Sequence, residues 1–173
     1  MFTHLHPDHV GWNLVRDEDG TPRPPASLSR ATSSRRPNGA TTAPCKTHPN
    51  IRLQALPLAG LGVVDLYAGD HAVAPSLATV ATPGHTPGHQ SLVLTSGGER
   101  LCILGDLAHT EANAHETEWV QRFDWDPEAA RATRRTVLGR LEATGELVAA
   151  GHLPHPGIGR FGRVNGRRTW RPI

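Results

Sequence analysis

A cluster of histidine and carboxylate residues near the amino terminus constrains this chain more than any other feature. His4, His6, Asp8 and His9 lie within six positions of one another. Alternate residues do not share one face of a helix, but a turn that follows a strand can bring them to one point. Neutral imidazole and carboxylate are good zinc ligands. Four ligands so close together fit one tetrahedral ion poorly, so the pattern favours two neighbouring ions, with His4 and His6 on one and Asp8 and His9 on the other.

Three later residues would complete two such sites. His85 lies in the sequence Thr-Pro-Gly-His-Thr-Pro-Gly-His, Asp106 follows Leu-Cys-Ile-Leu-Gly, and His152 follows Val-Ala-Ala-Gly. Each follows a glycine at the end of a predicted strand, and glycine permits the sharp backbone turn that directs a ligand over the strand edge. This repeated pattern predicts a metal site at one edge of a sheet.

The periodicity of the chain predicts strands and one long helix. Asp126 can cap a helix over 127–143, Pro127 suits its first position, and Gly145 is a plausible stop. The sequence Ser-Gly-Gly-Glu at 96–99 predicts a hairpin. The predicted strands are 62–67, 77–82, 90–95, 100–104 and 147–150. Strand pairs followed by a helix and a strand indicate a layered α/β domain.

The composition is that of a globular domain with a substantial core. Hydrophobic residues make up 37% of the 173 residues and charged residues 20%. The net charge of +2 is too small to indicate a nucleic-acid partner, and no stretch approaches the roughly 18 apolar residues of a membrane span. We therefore expect a small-molecule substrate, with no nucleic-acid or membrane partner, and a homodimer is left open.

The amino terminus and the cysteines bear on the location of the protein. Met1 is followed almost at once by histidines, and no signal peptide is visible. We expect a cytoplasmic location, with an export signal on a longer amino terminus as the alternative. Cys45 lies in a polar stretch and Cys102 in an apolar run, so two free thiols in a reducing compartment are expected.

Together, these motifs resemble the signature of the metallo-β-lactamase superfamily. The sequence Thr-His-Leu-His-Pro-Asp-His at 3–9 resembles its first motif, and the contexts of His85, Asp106 and His152 resemble its later motifs in the same order. The resemblance covers residues 1–15 and about 51–160. The sequences at 10–13, 123–127 and 151–161 look like the branch that contains methyl parathion hydrolase and related lactonases.

The resemblance implies a fold, a metal centre and a reaction. The fold is an α/β metallo-β-lactamase αββα sandwich, and the cofactor is two Zn²⁺ per chain. His4, His6 and His85 would hold one ion, Asp8, His9 and His152 the other, and Asp106 would bridge them. A water shared by the two ions would be activated as the nucleophile, with Asp8 and Asp106 as catalytic residues. The expected substrate is a lactone, an ester or an organophosphate-like compound, and its identity is left open.

Two features depart from the family pattern. Met1 lies three positions before His4, so we expect a sandwich that lacks its amino-terminal half-sheet. Residues 16–50 are polar and without periodicity, and we interpret them as an atypical, irregular insert in a single partial domain over 1–173. A shifted reading frame at 37–42 permits the family-like sequence Glu-Trp-Gly-Asp-Tyr, so a local frameshift is a hypothesis. An inactive remnant that binds metal at most, and a β-lactam hydrolase, are the two alternatives.

The remaining histidines and the arginine-rich end receive simpler interpretations. His89 is expected to pack or hydrogen-bond behind His85. His109 and His155 are expected in supporting or surface positions close to the ligands. Solvent-exposed side chains are expected for His48, His71 and His115. A solvated basic tail is expected from Arg160, Arg163, Arg167, Arg168 and Arg171.

Overall fold

The computed structural model describes residues 3–11, 14–23, 31–34, 49, 51–67 and 69–173, with the backbone alone at 31–34 and 51. The chain forms two compact units, Met1–Gly69 and Asp70–Ile173, each of which is described by itself. His48, Cys45 and the segment 37–42 lie outside the described residues. The single partial domain with an insert at 16–50 stays a prediction.

The first unit consists of short elements. Two strands form an antiparallel pair, β1 (Val15–Arg16) with β2 (Pro22–Arg23). Two others form a parallel pair, β3 (Ala31–Ser34) with β4 (Val64–Tyr67), of which β4 was predicted to begin two residues earlier. The helical elements are α1 (Pro7–Val10), a π-helical turn (Ile51–Ala55) and α2 (Leu56–Gly60).

A small apolar cluster holds the segment that carries the predicted ligands of the first unit in place. Val10, Leu14 and Leu58 are buried together, and Leu5 packs against them. Leu5 and Val10 flank the residues from His6 to His9, so both ends of this short segment are fixed by burial of apolar surface. Pro7 at the first position of α1 presets the backbone of the turn for a helical start.

The second unit is built on a seven-stranded sheet with the order β11-β10-β9-β8-β7-β6-β5. Its strands are β5 (His71–Ala74), β6 (Leu77–Ala81), β7 (Gln90–Ser96), β8 (Glu99–Ile103), β9 (Leu147–Ala149), β10 (Ile158–Val164) and β11 (Arg167–Pro172). The predicted strands at 77–82, 90–95, 100–104 and 147–150 are thus confirmed, and each bound differs by at most one residue. The strand β5 was not predicted.

The turns and crossovers of this sheet follow from local sequence. Gly97 and Gly98 both have positive φ, as the two-residue turn between β7 and β8 requires, and the predicted hairpin is confirmed. The strands β8 and β9 run parallel, so the chain must cross over between them, and the helix α3 (Pro127–Thr144) makes this crossover.

Helix α3 begins and ends where the sequence predicts. The Asp126 side chain accepts a hydrogen bond from the Ala129 N–H, and Gly145 ends the helix with a left-handed backbone. The apolar face of α3 packs on the sheet and forms the main core of the unit. The buried core residues include Leu138 and Leu141 of the helix and Cys102, Val148, Phe161 and Trp170 of the strands.

The arginine-rich end corrects one prediction. Residues 158–172 form the hairpin β10–β11 and not a solvated tail. Asn165 and Gly166 have positive φ at its turn, while Phe161 and Trp170 are buried against each other. The backbone pairing and the apolar inner face fix this segment, although most of its arginines still face solvent. Arg168 is the exception, because it lies against Glu142 of α3.

Candidate metal centre

The first unit contributes a compact group of histidines. The rings of His4 and His6 have centroids 4.6 Å apart, and those of His4 and His9 lie 4.1 Å apart. The Thr3 hydroxyl lies 3.2 Å from His4 Nδ1 and 3.3 Å from His9 Nδ1. His4 is buried, whereas Asp8 is exposed and lies 3.3 Å from His9 Nε2. The structure thus brings the four predicted ligands of this unit together within one turn.

In the second unit, three imidazoles surround one buried carboxylate. Oδ2 of Asp106 lies 3.4 Å from His85 Nε2 and 3.1 Å from His109 Nε2. Oδ1 of the same residue lies 3.4 Å from His152 Nε2. The Asp106 side chain is only 4% exposed. The two carboxylate oxygens therefore face different histidines, which is the arrangement that a carboxylate shared between two metal ions requires.

Each of these residues lies in a connection that leaves the same sheet. His85 lies in the loop after β6, Asp106 in a short 3-10 helix (Gly105–Leu107) after β8, and His152 in the turn after β9. Gly84 and Gly105 both have positive φ and reverse the chain just before a predicted ligand. The prediction that a glycine precedes each ligand at a strand end thus describes the backbone that the structure contains.

His89 supports the backbone of Asp106. Its Nε2 accepts a hydrogen bond from the Asp106 N–H at 2.9 Å, and its Nδ1 lies 2.9 Å from the Thr82 carbonyl oxygen. Because Nε2 is an acceptor, the proton of this buried ring is on Nδ1 and is donated to Thr82. The expectation of a structural role for His89 matches these contacts, and its ring also packs edge-on against that of His85, with centroids 6.0 Å apart.

Asp124 contacts His85, and Arg134 in turn pairs with Asp124. Neither residue was assigned a role in the site from the sequence. Asp124 Oδ1 lies 3.0 Å from His85 Nδ1, and Oδ2 accepts a hydrogen bond from the Gln121 N–H at 3.0 Å. Arg134 Nη2 lies 3.6 Å from Asp124 Oδ2. The side chains of Asp124 and Arg134 are at most 1% exposed. The only signal for Asp124 was its place in Phe-Asp-Trp-Asp-Pro, where the second aspartate was recognised as a helix cap.

The electrostatics of this group favour an ionised Asp124. Burial alone would raise the pKa of its carboxyl, but the hydrogen bonds from His85 and the Gln121 N–H and the charge of Arg134 lower the pKa below its ordinary value. Burial and the Asp124 charge act in opposite directions on Arg134, and burial prevails, so its pKa is lowered from a very high ordinary value. The pair is therefore a buried ion pair in contact with a predicted ligand.

The donor set fits zinc. Within each unit the candidate ligand atoms lie close together: those of His4 and His6, of Asp8 and His9, of His85 and Asp106, and of Asp106 and His152 are each within 4.8 Å. Imidazole nitrogen and carboxylate oxygen are the donors that zinc accepts, and a buried carboxylate with several imidazoles directed at it suits a cation.

The histidines that were not predicted as ligands differ in burial and in contacts. His109 is part of the group around Asp106, and its ring stacks on that of His152 with centroids 4.9 Å apart. His155 and His71 are exposed, as expected. His115 is half-buried and lies 3.9 Å from Glu116, so the expectation of a fully exposed ring was wrong for this residue.

Comparison with known proteins identifies the family. The family model of the metallo-β-lactamase superfamily matches residues 1–152. The chain belongs to this superfamily. The α/β metallo-β-lactamase fold expected from the motifs is therefore confirmed, and the solved structures that resemble the chain agree with it. Across the part of the chain that the structure describes, no helix is long and apolar enough to cross a membrane.

Two solved structures resemble this chain over nearly its whole length. One is the hydrolase AbOPH of the β-lactamase superfamily, with a TM-score of 0.81 and 27% identity over 99% of this chain and 62% of that one. The other is AidC, described as a dizinc quorum-quenching lactonase, with a TM-score of 0.77 and 25% identity over the same shares. The chain thus spans about three fifths of these structures.

Curated relatives match over a shorter range. An N-acyl homoserine lactonase of Bacillus thuringiensis is 32% identical over 85 residues, which are 49% of this chain and 33% of that protein. Another, from Bacillus cereus, is 37% identical over 57 residues, which are 32% of this chain and 23% of that protein. The chain spans about a third or less of the length of these curated relatives.

Proposed function

We propose that the chain is a di-zinc metallo-hydrolase that cleaves a lactone, an ester or an organophosphate-like substrate, with lactones as the first class to test. The observation that carries the proposal is the orientation of Asp106, which presents Oδ2 to His85 and Oδ1 to His152. One carboxylate oxygen is thereby available to each of two ions. The lactonase names of the relatives support the choice of lactones.

The proposed ligands divide into two sets that share Asp106. His4, His6 and His85 form one set, and Asp8, His9 and His152 form the other. The first set consists mostly of buried residues, whereas Asp8 and His152 are exposed. Within the second unit, His152 is exposed whereas His85 and Asp106 are buried, so we infer that a substrate approaches from the side of His152.

The residues of the chain would orient the reactants around the metal centre. Two zinc ions bound there would supply a Lewis acid for the scissile carbonyl or phosphoryl oxygen and would lower the pKa of a water toward neutrality. Asp8 would accept a hydrogen bond from the attacking water and direct its lone pair to the electrophile. The Asp106 backbone is held by the hydrogen bond from its N–H to His89, and Asp106 would be the ligand that belongs to both sets.

Metal reconstitution with an activity assay tests the proposal. The purified full chain is stripped with a chelator and dialysed against zinc, and the bound metal is measured by emission spectrometry. Ring opening of N-hexanoyl-homoserine lactone is followed by proton release, alongside an aryl ester and an aryl dialkyl phosphate. We expect two zinc ions per chain and zinc-dependent hydrolysis of the lactone. Bound zinc without hydrolysis of any of the three would support the metal-binding remnant instead.

Matched histidine variants connect the activity to the ligands. His152→Ala is expected to lower hydrolysis more than about 100-fold, since loss of an outer-shell partner of a metal ligand alone costs about 10–100-fold. His71→Ala removes an exposed histidine from the edge strand β5 and is expected to retain wild-type activity. Equal activities of the two variants would contradict the proposed ligand set.

A further inference from the structure

We propose that Asp124, held by Arg134, is a positioning residue that sets the His85 ring with Nε2 directed to the metal. The inference rests on the proposed function, because His85 is a ligand only if the zinc centre forms. It assigns a role to a buried carboxylate and a buried guanidinium that no motif of the chain identified. Both residues belong to the second unit, as does His85.

The two nitrogens of His85 have different partners. Nδ1 lies 3.0 Å from Asp124 Oδ1, and Nε2 lies 3.4 Å from Asp106 Oδ2. Asp124 Oδ2 accepts a hydrogen bond from the Gln121 N–H and Oδ1 faces the imidazole, so the geometry makes Nδ1 the donor to Asp124. With a proton on Nδ1, a ring that binds a metal ion would do so through Nε2, the nitrogen beside Asp106. Such a hydrogen bond also raises the basicity of a ligand imidazole.

The backbone holds Asp124 and His85 together as well. The Trp125 N–H donates to the His85 carbonyl oxygen at 3.1 Å, and the Asp126 N–H donates to the Gly84 carbonyl oxygen at 3.0 Å. Three hydrogen bonds therefore connect residues 84–85 with residues 124–126. The two backbone hydrogen bonds keep residue 124 next to the loop of His85, so the carboxylate lies within hydrogen-bonding distance of the imidazole.

Arg134 connects this contact to a rigid helix. It projects from α3, donates through Nε to the Leu107 carbonyl oxygen at 2.9 Å, and lies 3.6 Å from Asp124. Through Nη1 it also donates to the carbonyl oxygens of Thr117 and Trp119. Leu107 follows Asp106 directly in sequence. One guanidinium thus fixes the backbone next to Asp106 and the carboxylate that orients His85, and so sets the spacing between these two ligands.

A positioning role and a merely structural role predict different results. If Asp124 only stabilises the loop, its removal lowers the free energy of unfolding. The affinities for the two zinc ions then either both fall by the same factor or both stay unchanged. If it orients His85, its removal lowers the affinity for the ion that His85 binds and leaves the affinity for the ion that His152 binds unchanged. The size expected for loss of such a partner is about 10–100-fold in metal affinity.

The test measures the two zinc affinities separately in the full chain. Asp124→Asn keeps the shape of the side chain and an acceptor oxygen, whereas Asp124→Ala removes both. Glu118→Gln is the matched control, because it neutralises an exposed carboxylate of the same loop that pairs with Arg135. Zinc binding is titrated against a chromophoric chelator, and cadmium NMR of the substituted protein gives one resonance for each site. Chelator-stripped samples are unfolded in urea to confirm folding.

We expect one zinc affinity to fall about 10-fold in Asp124→Asn and about 100-fold in Asp124→Ala, with the second affinity unchanged. Only one cadmium resonance should shift, and Glu118→Gln should match the wild type. Two wild-type affinities in folded Asp124→Asn would overturn the inference and leave the proposed function intact. A wild-type chain without bound zinc would overturn the proposed function first.

A second measurement needs no variant and therefore does not depend on whether Asp124→Ala folds. In the zinc-loaded wild type, nitrogen NMR of the histidine rings should place the His85 proton on Nδ1, hydrogen-bonded and protected from exchange with solvent. A proton on Nε2, or a rapidly exchanging Nδ1 proton, would overturn the inference whatever the variants show.

Discussion

Gly84 lies against Ala130 so closely that a Cβ built on residue 84 would meet the Ala130 Cα and N atoms at 2.3 Å. The φ of Gly84 is +134°, a conformation that residues with side chains rarely adopt. Since Gly84 precedes His85, the first turn of α3 determines where the loop that carries this predicted ligand can lie. The glycine of the Pro-Gly-His sequence is required by packing as well as by the turn.

Gly84→Ala should therefore be among the most destabilising single-methyl substitutions in the chain. We expect a loss of about 3–5 kcal/mol in the free energy of unfolding, because the new methyl meets backbone atoms and the φ is strained. Gly139→Ala is the matched control. Gly139 lies in α3, the helix that carries Ala130, and the nearest atom to its new Cβ would be 3.8 Å away. Gly139→Ala should stabilise the protein by about 0.5–1 kcal/mol. Urea unfolding of both variants decides, and equal stabilities would contradict this packing.

Removal of the His89 ring should destabilise the protein, because two buried backbone groups lose the hydrogen bonds that the ring makes with them. In His89→Ala, the Asp106 N–H and the Thr82 carbonyl oxygen lose their partner. We expect a loss of about 2–4 kcal/mol, measured on metal-free protein. His71→Ala, on the surface, should stay within about 0.5 kcal/mol of the wild type. A metal-free His89→Ala variant as stable as the wild type would show that Asp106 is held by other contacts.

Cys102 should be almost inert toward thiol reagents in the folded protein. Burial raises the pKa of its thiol from 9.0 to about 11, with Arg140 opposing this only in part. In a Cys45→Ser variant, which leaves Cys102 as the single thiol, reaction with a disulfide reagent at pH 8 should be at least about 100-fold slower than in denaturant. The raised pKa also affects the free energy of unfolding. Because the thiol ionises more readily in the unfolded chain, the stability falls as the pH rises from about 9 to about 11. Equal reaction rates in the folded and denatured protein would contradict the burial of Cys102.

Glu142 should make the attachment of the β10–β11 hairpin to α3 dependent on pH. Burial is the largest single effect and raises its pKa, but the hydrogen bonds from Arg168, at 2.7 Å, and Arg163, together with the charges of both arginines, lower the pKa from 4.5. A lowered folded pKa gives stability that is present above 4.5 and is lost as the pH falls through the folded value. Glu142→Gln should thus be less stable than the wild type at pH 7, and the difference should shrink below about pH 4.5.

Thermal unfolding at several pH values measures this effect. Glu116→Gln is the control, because Glu116 forms a more exposed ion pair with Arg167 of the same hairpin, and such pairs contribute about 0–1 kcal/mol. A Glu142→Gln variant whose destabilisation is the same at every pH would show that the carboxylate charge is unimportant.

The features that the sequence predicted well are those with a local cause. Asp126 and Gly145 mark the ends of α3 through their own backbone and side-chain preferences, and the pair Gly97 and Gly98 specifies a tight hairpin. The hairpin of β10 and β11 carried the same kind of signal in Asn165-Gly166. It was overlooked because the arginines on its exposed face outnumber the two buried aromatic residues, so the segment resembled a charged tail.

The features that were missed depend on contacts between distant residues. Asp124 lies 39 positions from His85, and the hydrogen bond between them exists only because the loop before α3 returns to the ligand loop after β6. No periodicity encodes such a pair. His89 was correctly interpreted as a supporting residue from its motif, but its partner, the Asp106 N–H, lies 17 positions away and follows from the pairing of β7 with β8.

The most direct test of the central claim is the zinc stoichiometry of three proteins, measured by equilibrium dialysis and emission spectrometry. If Asp106 is shared between two ions, the wild type should hold two zinc ions, His85→Ala one, and Asp106→Ala fewer than one. A wild-type chain without zinc, or an Asp106→Ala variant that still holds two ions, would contradict a metal centre built on this carboxylate.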